Sequence, residues 1–205
     1  MRGKFITVEG QDGAGKSTNI AVVQRFLERK GVDLVLSREP GGTSFGESVR
    51  ELLLNSDDNA VGESAELLMM FAARAQHIED VIEPALNAGQ WVLCDRFTDA
   101  TYAYQGGGRG LDINNINALE SIVQGELRPD LTILLDLPVL LGEQRAGQRS
   151  EPDRFEQQQT DFKQRVRQCY LERAQAEPKR IKTVDASQSI EQVDAAIVQI
   201  MQEFI

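Results

Sequence analysis

Residues 10–17 read Gly-Gln-Asp-Gly-Ala-Gly-Lys-Ser and match the phosphate-binding loop pattern G-x-x-x-x-G-K-[ST] at every fixed position. The preceding run Lys4-Phe-Ile-Thr-Val-Glu9 is apolar and β-branched, and Ile20, Val23 and Leu27 follow at helical spacing. The loop therefore joins a strand to a helix, which is the context that this motif requires. Because its glycines let successive backbone N–H groups surround a polyphosphate, the sequence predicts binding of a nucleoside triphosphate.

The loop pattern also assigns roles to single residues. Lys16 is expected to reach the β- and γ-phosphates, and Ser17 to hold Mg²⁺ through its hydroxyl. Asp95, at the tip of an apolar strand, occupies the usual position of a second Mg²⁺ ligand in such proteins. The segment predicted to contact the triphosphate consists of Gly10, Gln11, Asp12, Gly13, Ala14, Gly15, Lys16, Ser17 and Thr18.

Length, charge and cysteine usage narrow the class of protein. The chain has 205 residues, which fits one α/β domain over 1–205, and its net charge of −10 argues against a nucleic-acid partner. It has no run of about 18 apolar residues and no signal-peptide pattern, so we expect a soluble cytoplasmic protein without a membrane partner. Cys94 and Cys169 lie far apart without C-x-x-C spacing, which predicts neither a disulfide nor a zinc site.

Predicted strands alternate with helical segments along the whole chain. This alternation is typical of an α/β fold, here a five-stranded parallel sheet flanked by helices. Ligands of such sheets bind beyond the carboxyl ends of the strands, so the residues that follow each strand are the candidates for function. The predicted strands span about 4–9, 33–38, 91–95, 131–137 and 180–185.

Charged side chains follow the second strand and recur on the long helix predicted over about 62–88. Arg38 and Glu39 end the strand, and Arg50 lies further on, where an ordinary exposed helix surface is the alternative interpretation. Arg74 shares a helix face with Met70 and His77, and an arginine beside an apolar face needs an anionic or acceptor partner. For His77 the simpler interpretation is a surface position or a satisfied hydrogen-bonding group.

Two further segments carry polar groups. Thr101, Tyr104 and Gln105 precede a run of glycines and offer donors and acceptors that suit a base edge and a sugar. The segment around Arg149 and Arg154 is charged and broken by proline, which predicts a short mobile lid at about 148–158. Its closure would exclude water and deliver an arginine to a phosphoryl group; an ordinary helix connection is the alternative.

Taken together, these motifs resemble the bacterial thymidylate kinases from end to end. The resemblance rests on Glu9-Gly with the loop, Arg38-Glu-Pro-Gly-Gly-Thr43, Phe71-Ala-Ala-Arg74, Asp95-Arg96, Ala103-Tyr-Gln-Gly-Gly-Gly-Arg-Gly110, Arg128-Pro-Asp130 and Asp153-Arg154. It implies a P-loop kinase fold, transfer of the γ-phosphoryl group of ATP to dTMP with Mg²⁺, and a homodimer.

The resemblance also implies roles for individual residues. Asp12 would act near the acceptor sugar and the metal. Tyr104 would pack near deoxyribose C2′ and disfavour a ribose hydroxyl. Arg50 and Arg96 would grip the acceptor phosphate, with Arg38, Glu39 and Pro40 close by. The thymine contacts would be Arg74, Thr101 and Gln105, and the adenine contacts Arg145 and residues 185–188.

The sequence departs from the family in two places. Many relatives stack thymine on a phenylalanine at the position of Met70, so either Met70 or its neighbour Phe71 is expected to pack on the base. The phosphate loop itself carries no basic residue after Asp12, which resembles relatives whose lid supplies the catalytic charge. Arg154 is assigned that role first, and Arg149 second.

Two alternative functions compete with this interpretation, one within the kinases and one outside the enzymes. A kinase for another nucleoside monophosphate or for a deoxynucleoside is the nearest rival, although Arg50 with Arg96 favours a phosphorylated acceptor. A nucleotide-operated switch or assembly protein is disfavoured because no Asn-Lys-x-Asp or Asp-x-x-Gly motif follows the loop.

Overall fold

Five parallel strands form one sheet, as the sequence predicted. The structure is a computed structural model that describes residues 2–55, 60–146, 154–155 and 157–205. Each strand begins and ends within about two residues of its predicted bounds. The strands are β1 (Phe5–Glu9), β2 (Leu34–Arg38), β3 (Trp91–Asp95), β4 (Leu131–Asp136) and β5 (Ile181–Asp185). They lie in the order β2-β3-β1-β4-β5 across the sheet.

Helices cover both faces of the sheet. In the described ranges they are α1 (Lys16–Arg29), α2 (Ser44–Asn55), α3 (Glu63–His77), α4 (Glu83–Asn87), α5 (Thr98–Thr101), α6 (Ile113–Gln124), α7 (Val139–Ala146), α8 (Thr160–Ala176) and α9 (Ile190–Phe204). The long helix predicted over 62–88 is confirmed as α3 and α4, joined by one wide π-type turn at Ile78–Ile82. Pro84 follows this turn and has no N–H to donate, which favours the widening. A second π-type segment, Tyr102–Gly108, carries the glycine run.

The central strand β1 is buried along its whole length, because helices pack against it from both sides. On one face Val23 of α1 and Ile197 of α9 are fully buried against it. On the other face Phe5 meets Phe97 edge to face, with ring centroids 4.9 Å apart. In the described part of the chain, no helix is both long and apolar enough to cross a bilayer.

The register of the strands brings the candidate residues to one edge. Asp95 of β3 pairs with Val8 of β1 on one side and with Arg38 of β2 on the other. Glu9 pairs with Leu134, so β1 ends beside β4 where the phosphate loop begins. The charged residues that follow β1, β2 and β3 therefore lie close together.

Candidate active site

Two cavities of about 280 Å³ each lie at the carboxyl edge of the sheet, one on either side of the phosphate loop. We call them cavity A and cavity B. Gly13 and Gly15 line both of them. Most of the predicted site residues line cavity A: Asp12, Gly13, Gly15, Lys16, Ser17, Glu39, Pro40, Arg50, Met70, Arg74, Asp95, Arg96, Thr101, Tyr104 and Gln105.

Lys16 lies folded into the phosphate loop. Its Nζ donates to the carbonyl oxygens of Gly10 at 3.0 Å and Gln11 at 3.1 Å, and it stands 3.7 Å from Asp12 Oδ1. Burial, reinforced by the charge of Arg96, lowers the pKa of Lys16. The ammonium group is thus held at the centre of the loop, where a bound polyphosphate would lie.

Two loop positions need glycine for reasons of backbone geometry. Gly13 has φ +79°, and a Cβ there would lie 2.3 Å from the carbonyl oxygen of Gly142 in α7. Gly15 has φ +85° and immediately precedes α1. The side chain of Gln11 turns away from the loop and donates to the carbonyl of Leu137 at 2.5 Å, which leaves only its backbone to contact a phosphate. Gln11 and its neighbours Gly10 and Ala14 therefore shape the loop rather than line cavity A.

Asp12 is held by a cation and a phenol. Arg96 Nη2 donates to its Oδ1 at 2.7 Å, and Tyr104 Oη donates to its Oδ2 at 3.2 Å. Arg96 Nη2 also donates to Tyr104 Oη at 3.1 Å, so the three groups form a closed triangle. Burial alone would raise the pKa of Asp12, but the charges of Arg96 and Lys16 outweigh it and lower this pKa to about 2. Asp12 is therefore an ionised hydrogen-bond acceptor at the mouth of cavity A.

The backbone of Arg96 adopts an uncommon conformation, with φ +67°. Its N–H donates to the carbonyl of Val8 at 3.0 Å, and the next N–H, of Phe97, donates to Glu9 Oε1 at 2.7 Å. Glu9 is fully buried and also accepts from Tyr170 Oη at 2.8 Å. These contacts hold the strained turn and aim the Arg96 side chain at the loop.

Arg74 lies at the back of cavity A and is buried, at 2% exposure. Its Nε donates to Glu39 Oε2 at 2.7 Å, and its Nη2 donates to Thr101 Oγ1 at 2.9 Å. The remaining nitrogen, Nη1, is buried and has no hydrogen-bond partner. A buried guanidinium nitrogen with unpaired N–H groups, on a residue that lines a cavity, is a donor available to a ligand acceptor.

The structure distinguishes the two residues proposed to pack on the base. Met70 lines cavity A, whereas Phe71 is 2% exposed and packs among Leu67, Tyr102 and Ile116. Phe71 instead supports Arg74, whose guanidinium carbon lies 4.8 Å from its ring centroid. Of these two residues, only Met70 lines cavity A.

Arg38, the last residue of β2, and Arg50, in α2, have different positions. Arg50 lines cavity A, and its Nη1 donates to the carbonyl of Pro40 at 3.0 Å. Arg38 does not line the cavity; its side chain is 54% exposed and pairs with Glu47 at 2.8 Å. Of the two, only Arg50 is brought to the site.

Arg154, the predicted catalytic arginine, lies against α3 and not at the phosphate loop. Its Nη2 stands 3.1 Å from Oε2 of Glu66, which is fully buried and also pairs with Arg109 at 3.2 Å. Gln105 Nε2 donates to the other oxygen of Glu66 at 2.9 Å. Arg149 and most of the predicted lid lie outside the described residues. The catalytic role of either arginine stays a prediction.

The candidate metal ligands line cavity A on the side of the loop. Asp95 has a buried carboxylate oxygen, Oδ1, without a hydrogen-bond partner, and the side chain of Ser17 is exposed at the start of α1. Hard oxygen donors of this kind suit Mg²⁺, which is usually bound by one or two protein groups together with phosphates and water. Among the residues that the structure describes, no group of three or more His, Cys, Asp or Glu forms a self-contained metal site.

Cavity B lies on the far side of the loop, against α9. Arg145 lines it and donates through Nη1 to the carbonyl of Ala186 at 2.9 Å. Thr18, from the segment predicted to contact the triphosphate, and Gln188, from the predicted adenine side, line it as well, whereas Asp185 is exposed and accepts from Ser187.

Several residues at the site were not predicted from the sequence, among them Phe155 and Glu66; Leu54, Phe97 and Ala100 also line cavity A. Phe155 lines cavity A and meets the ring of Tyr104 edge to face. Glu66 lies one helical turn before Met70, on the helix face that carries Arg74, and that spacing could have indicated it. His77 is fully buried and bonds to Glu39, which makes the satisfied hydrogen-bonding interpretation correct.

Comparisons with known proteins agree on one family. The thymidylate kinase family model matches residues 8–197. The thymidylate kinase of Alcanivorax borkumensis is 53% identical over 99% of this chain and 98% of its own length. That of Pseudomonas putida strain W619 is 58% identical over 94% of this chain and 93% of its own length. A crystal structure of thymidylate kinase from Ehrlichia chaffeensis superposes with a TM-score of 0.79 at 32% identity, covering 98% of this chain and all of that one.

Proposed function

Since this chain belongs to the thymidylate kinase family and transfers the γ-phosphoryl group of ATP to dTMP, we propose that cavity A holds dTMP and cavity B the adenosine of ATP. The observation that carries this assignment is that Gly13 and Gly15 line both cavities. Two nucleotides bound in this way bring their phosphate groups together above the loop, with Lys16 between them.

Recognition of dTMP uses the polar groups of cavity A. The free Nη1 of Arg74 donates to a carbonyl oxygen of thymine, and Met70 packs on the ring. Arg50 and Arg96 line the same cavity and bind the acceptor phosphate, because paired guanidinium groups suit a dianion that must be aimed in line. Tyr104 packs near C2′ of the sugar.

The chemistry needs no strong general base, since the phosphate of dTMP is largely ionised at neutral pH. One of its oxygens attacks the γ-phosphorus of ATP, the bond from that phosphorus to the bridging oxygen breaks, and ADP leaves. Lys16 and Arg96 offset the negative charge that gathers between the two nucleotides. Asp12 holds Arg96 at 2.7 Å and keeps its guanidinium directed at the loop.

Mg²⁺ fits this site, because Asp95 offers a carboxylate oxygen, Oδ1, that accepts no hydrogen bond and lies 3.9 Å from Arg96 Nη1, and Ser17 offers an exposed hydroxyl at the loop. When bound, the ion would neutralise phosphate charge and orient the γ-phosphoryl group. We propose Ser17 directly and Asp95, directly or through water, as its protein ligands.

The role of the lid arginine is open to a direct test. In the described conformation the arginines that line cavity A are Arg50, Arg74 and Arg96, whereas Arg154 pairs with Glu66. Arg154 would have to leave Glu66 to reach the transferring group. We propose Arg154 as the lid arginine, and Arg149 as its alternative, on the strength of the family resemblance.

We also propose a homodimer built on the outer face of α2 and α3. These helices are neighbours, and they expose Leu52 (59%) and Leu68 (56%), which are costly to leave in water. Leu68→Lys should shift the sedimentation coefficient to that of a monomer, whereas Leu140→Lys, at a position on α7 that is 67% exposed, should leave it unchanged. A wild-type protein that sediments as a monomer at micromolar concentration would contradict the dimer.

The cavity assignment is tested with a coupled assay that compares dTMP, dUMP, AMP, GMP and CMP as acceptors. We expect dTMP to be preferred, and Arg74→Met to raise the KM for dTMP while the KM for ATP stays constant. An effect of Arg74→Met on ATP alone would refute the assignment of cavity A. As both substrates are cytoplasmic metabolites, we propose a cytoplasmic location.

A further inference from the structure

The single histidine of the chain, His77, is fully buried at the end of α3, and its ring bridges two other polar groups. Nδ1 lies 2.9 Å from Glu39 Oε1, and Nε2 lies 2.6 Å from Ser37 Oγ. Both ring nitrogens therefore have a protein partner, and neither is available to a ligand. The ring can influence the neighbouring site only through the residues that it contacts.

A chain of contacts leads from His77 into cavity A. Glu39 Oε1 lies 2.9 Å from His77 Nδ1, and Glu39 Oε2 accepts from Arg74 Nε at 2.7 Å. Both side chains of the Arg74–Glu39 pair are at most 5% exposed. Because Nε and Nη2 of Arg74 are used in this pair and on Thr101, Nη1 alone remains for the ligand.

The donor and acceptor roles in this chain follow from the chemistry of the groups. An ionised Glu39 can only accept, so Nδ1 must carry the proton that lies between it and Oε1. Ser37 can donate its hydroxyl proton to Nε2, which satisfies both sides of the ring. Without the bond from His77, Oε1 of Glu39 would be buried and unpaired, and Glu39 would turn toward another donor and pull Arg74 with it.

The ring also supports the turn that carries other residues of cavity A. A Cβ at Gly42 would lie 2.7 Å from His77 Nε2, so the turn after Pro40 packs directly on the imidazole. The carbonyl of Pro40 in this turn accepts from Arg50 Nη1. His77 therefore contacts Glu39, which pairs with Arg74, and it packs on the turn whose Pro40 carbonyl accepts from Arg50.

We propose that His77 is a positioning residue for acceptor recognition, acting through an Nδ1–H bond to Glu39 that fixes Arg74 in cavity A. The inference rests on the proposed assignment of cavity A to dTMP. It concerns the acceptor side only, so the KM for ATP serves as an internal control.

Two substitutions separate this role from simple packing. In His77→Asn the side-chain amide nitrogen takes the place of Nδ1 and can still donate to Glu39. In His77→Gln the longer side chain puts its amide at the place of Nε2, next to Ser37, and Glu39 loses its donor. We expect His77→Gln to raise the KM and Kd for dTMP about tenfold, and His77→Asn to raise them less than about threefold, with the ATP KM constant in both. A packing role predicts the reverse order, because Gln fills more of the ring's volume than Asn.

A double-mutant cycle with Glu39→Gln checks the route of the effect. If His77 acts through Glu39, the His77→Gln and Glu39→Gln effects on the dTMP KM do not add. Full additivity, or equal KM values for the Asn and Gln variants, overturns the proposal. If Arg74→Met also leaves dTMP binding unchanged, the assignment of cavity A fails as well; if Arg74→Met weakens dTMP binding, only the role of His77 is refuted.

The wild-type protein offers a measurement that needs no variant to fold. With ¹⁵N-labelled histidine, the spectrum contains the signals of one ring. We expect Nδ1 to be protonated in the free protein and the ring signals to shift on addition of dTMP, but not of ADP. An unprotonated Nδ1 would overturn the proposal, because no donor would then face Glu39.

Discussion

Glu9→Gln tests a strongly raised carboxyl pKa at the end of β1. Burial, with the nearby charge of Asp99, raises the pKa of Glu9 from its ordinary 4.5 to about 8, although Tyr170 and the N–H of Phe97 donate to it. Below pH 4.5 the carboxyl is protonated in both the folded and the unfolded chain. As the pH rises above 4.5, the unfolded chain loses this proton first, so the free energy of unfolding falls until the pH passes about 8.

The size of the effect follows from the two pKa values. One pKa unit corresponds to about 1.4 kcal/mol, so this single group lowers the free energy of unfolding by about 3 kcal/mol between about pH 5.5 and about pH 8.5. This range lies above the isoelectric point of about 4.7, so the protein keeps a net negative charge, which favours solubility during the assay. For a domain of this size the loss corresponds to about 6 to 12 °C in Tm. Glutamine at position 9 does not titrate and should not show this loss.

The assay is urea unfolding of wild type and Glu9→Gln at several pH values, in EDTA and without nucleotides. The free energy of unfolding of Glu9→Gln minus that of the wild type should rise by about 3 kcal/mol from the low to the high end of this pH range. Other titrating groups contribute equally to both proteins and cancel in the difference. Tyr170→Phe removes a donor that lowers the pKa of Glu9 and should move the fall to higher pH. A difference between wild type and Glu9→Gln that stays constant with pH would refute the role of burial.

Three further perturbations address the loop, the lid and the metal. Gly13→Ala should abolish ATP binding and destabilise the fold, since its Cβ would meet Gly142 at 2.3 Å; Gly31→Ala, with φ +71° and nothing within 4 Å, is the control and should cost only about 1 kcal/mol in urea unfolding. Arg154→Ala should lower kcat about a hundredfold with little change in the KM for ATP. Glu66→Gln should lower Tm and have only a small effect on kcat. Equal losses of kcat in the two variants would show that Arg154 acts only through Glu66. Asp95→Asn should raise the Mg²⁺ concentration needed for half-maximal activity, and EDTA should abolish turnover; an unchanged Mg²⁺ requirement would exclude Asp95 as a ligand.

The sequence by itself determined the loop, the α/β alternation and the edge of the sheet where the site lies. These features depend on residues close together in the chain, such as the glycines and Lys16 of the loop, or on a periodicity that repeats within one element. The strand that ends at Asp95 was predictable because an apolar run followed by a carboxylate is a local pattern, which does not depend on residues elsewhere in the chain.

Which helix face meets the cavity was decided only by tertiary packing. Met70 and Phe71 are neighbours, and adjacent residues on a helix point about 100° apart. Phe71 is buried because α3 packs against α6 and Tyr102. The same orientation of α3 about its axis directs Met70 to cavity A.

Ion pairs between distant residues were equally beyond the sequence. Glu39 meets Arg74 across 35 positions, and Arg154 meets Glu66 after the chain has passed through two strands and several helices. Any of the 22 lysines and arginines could in principle pair with any of the 32 carboxylates. Only the folded chain selects the partners, because burial makes an unpaired charge costly and leaves each buried carboxylate with the few donors that packing brings within reach.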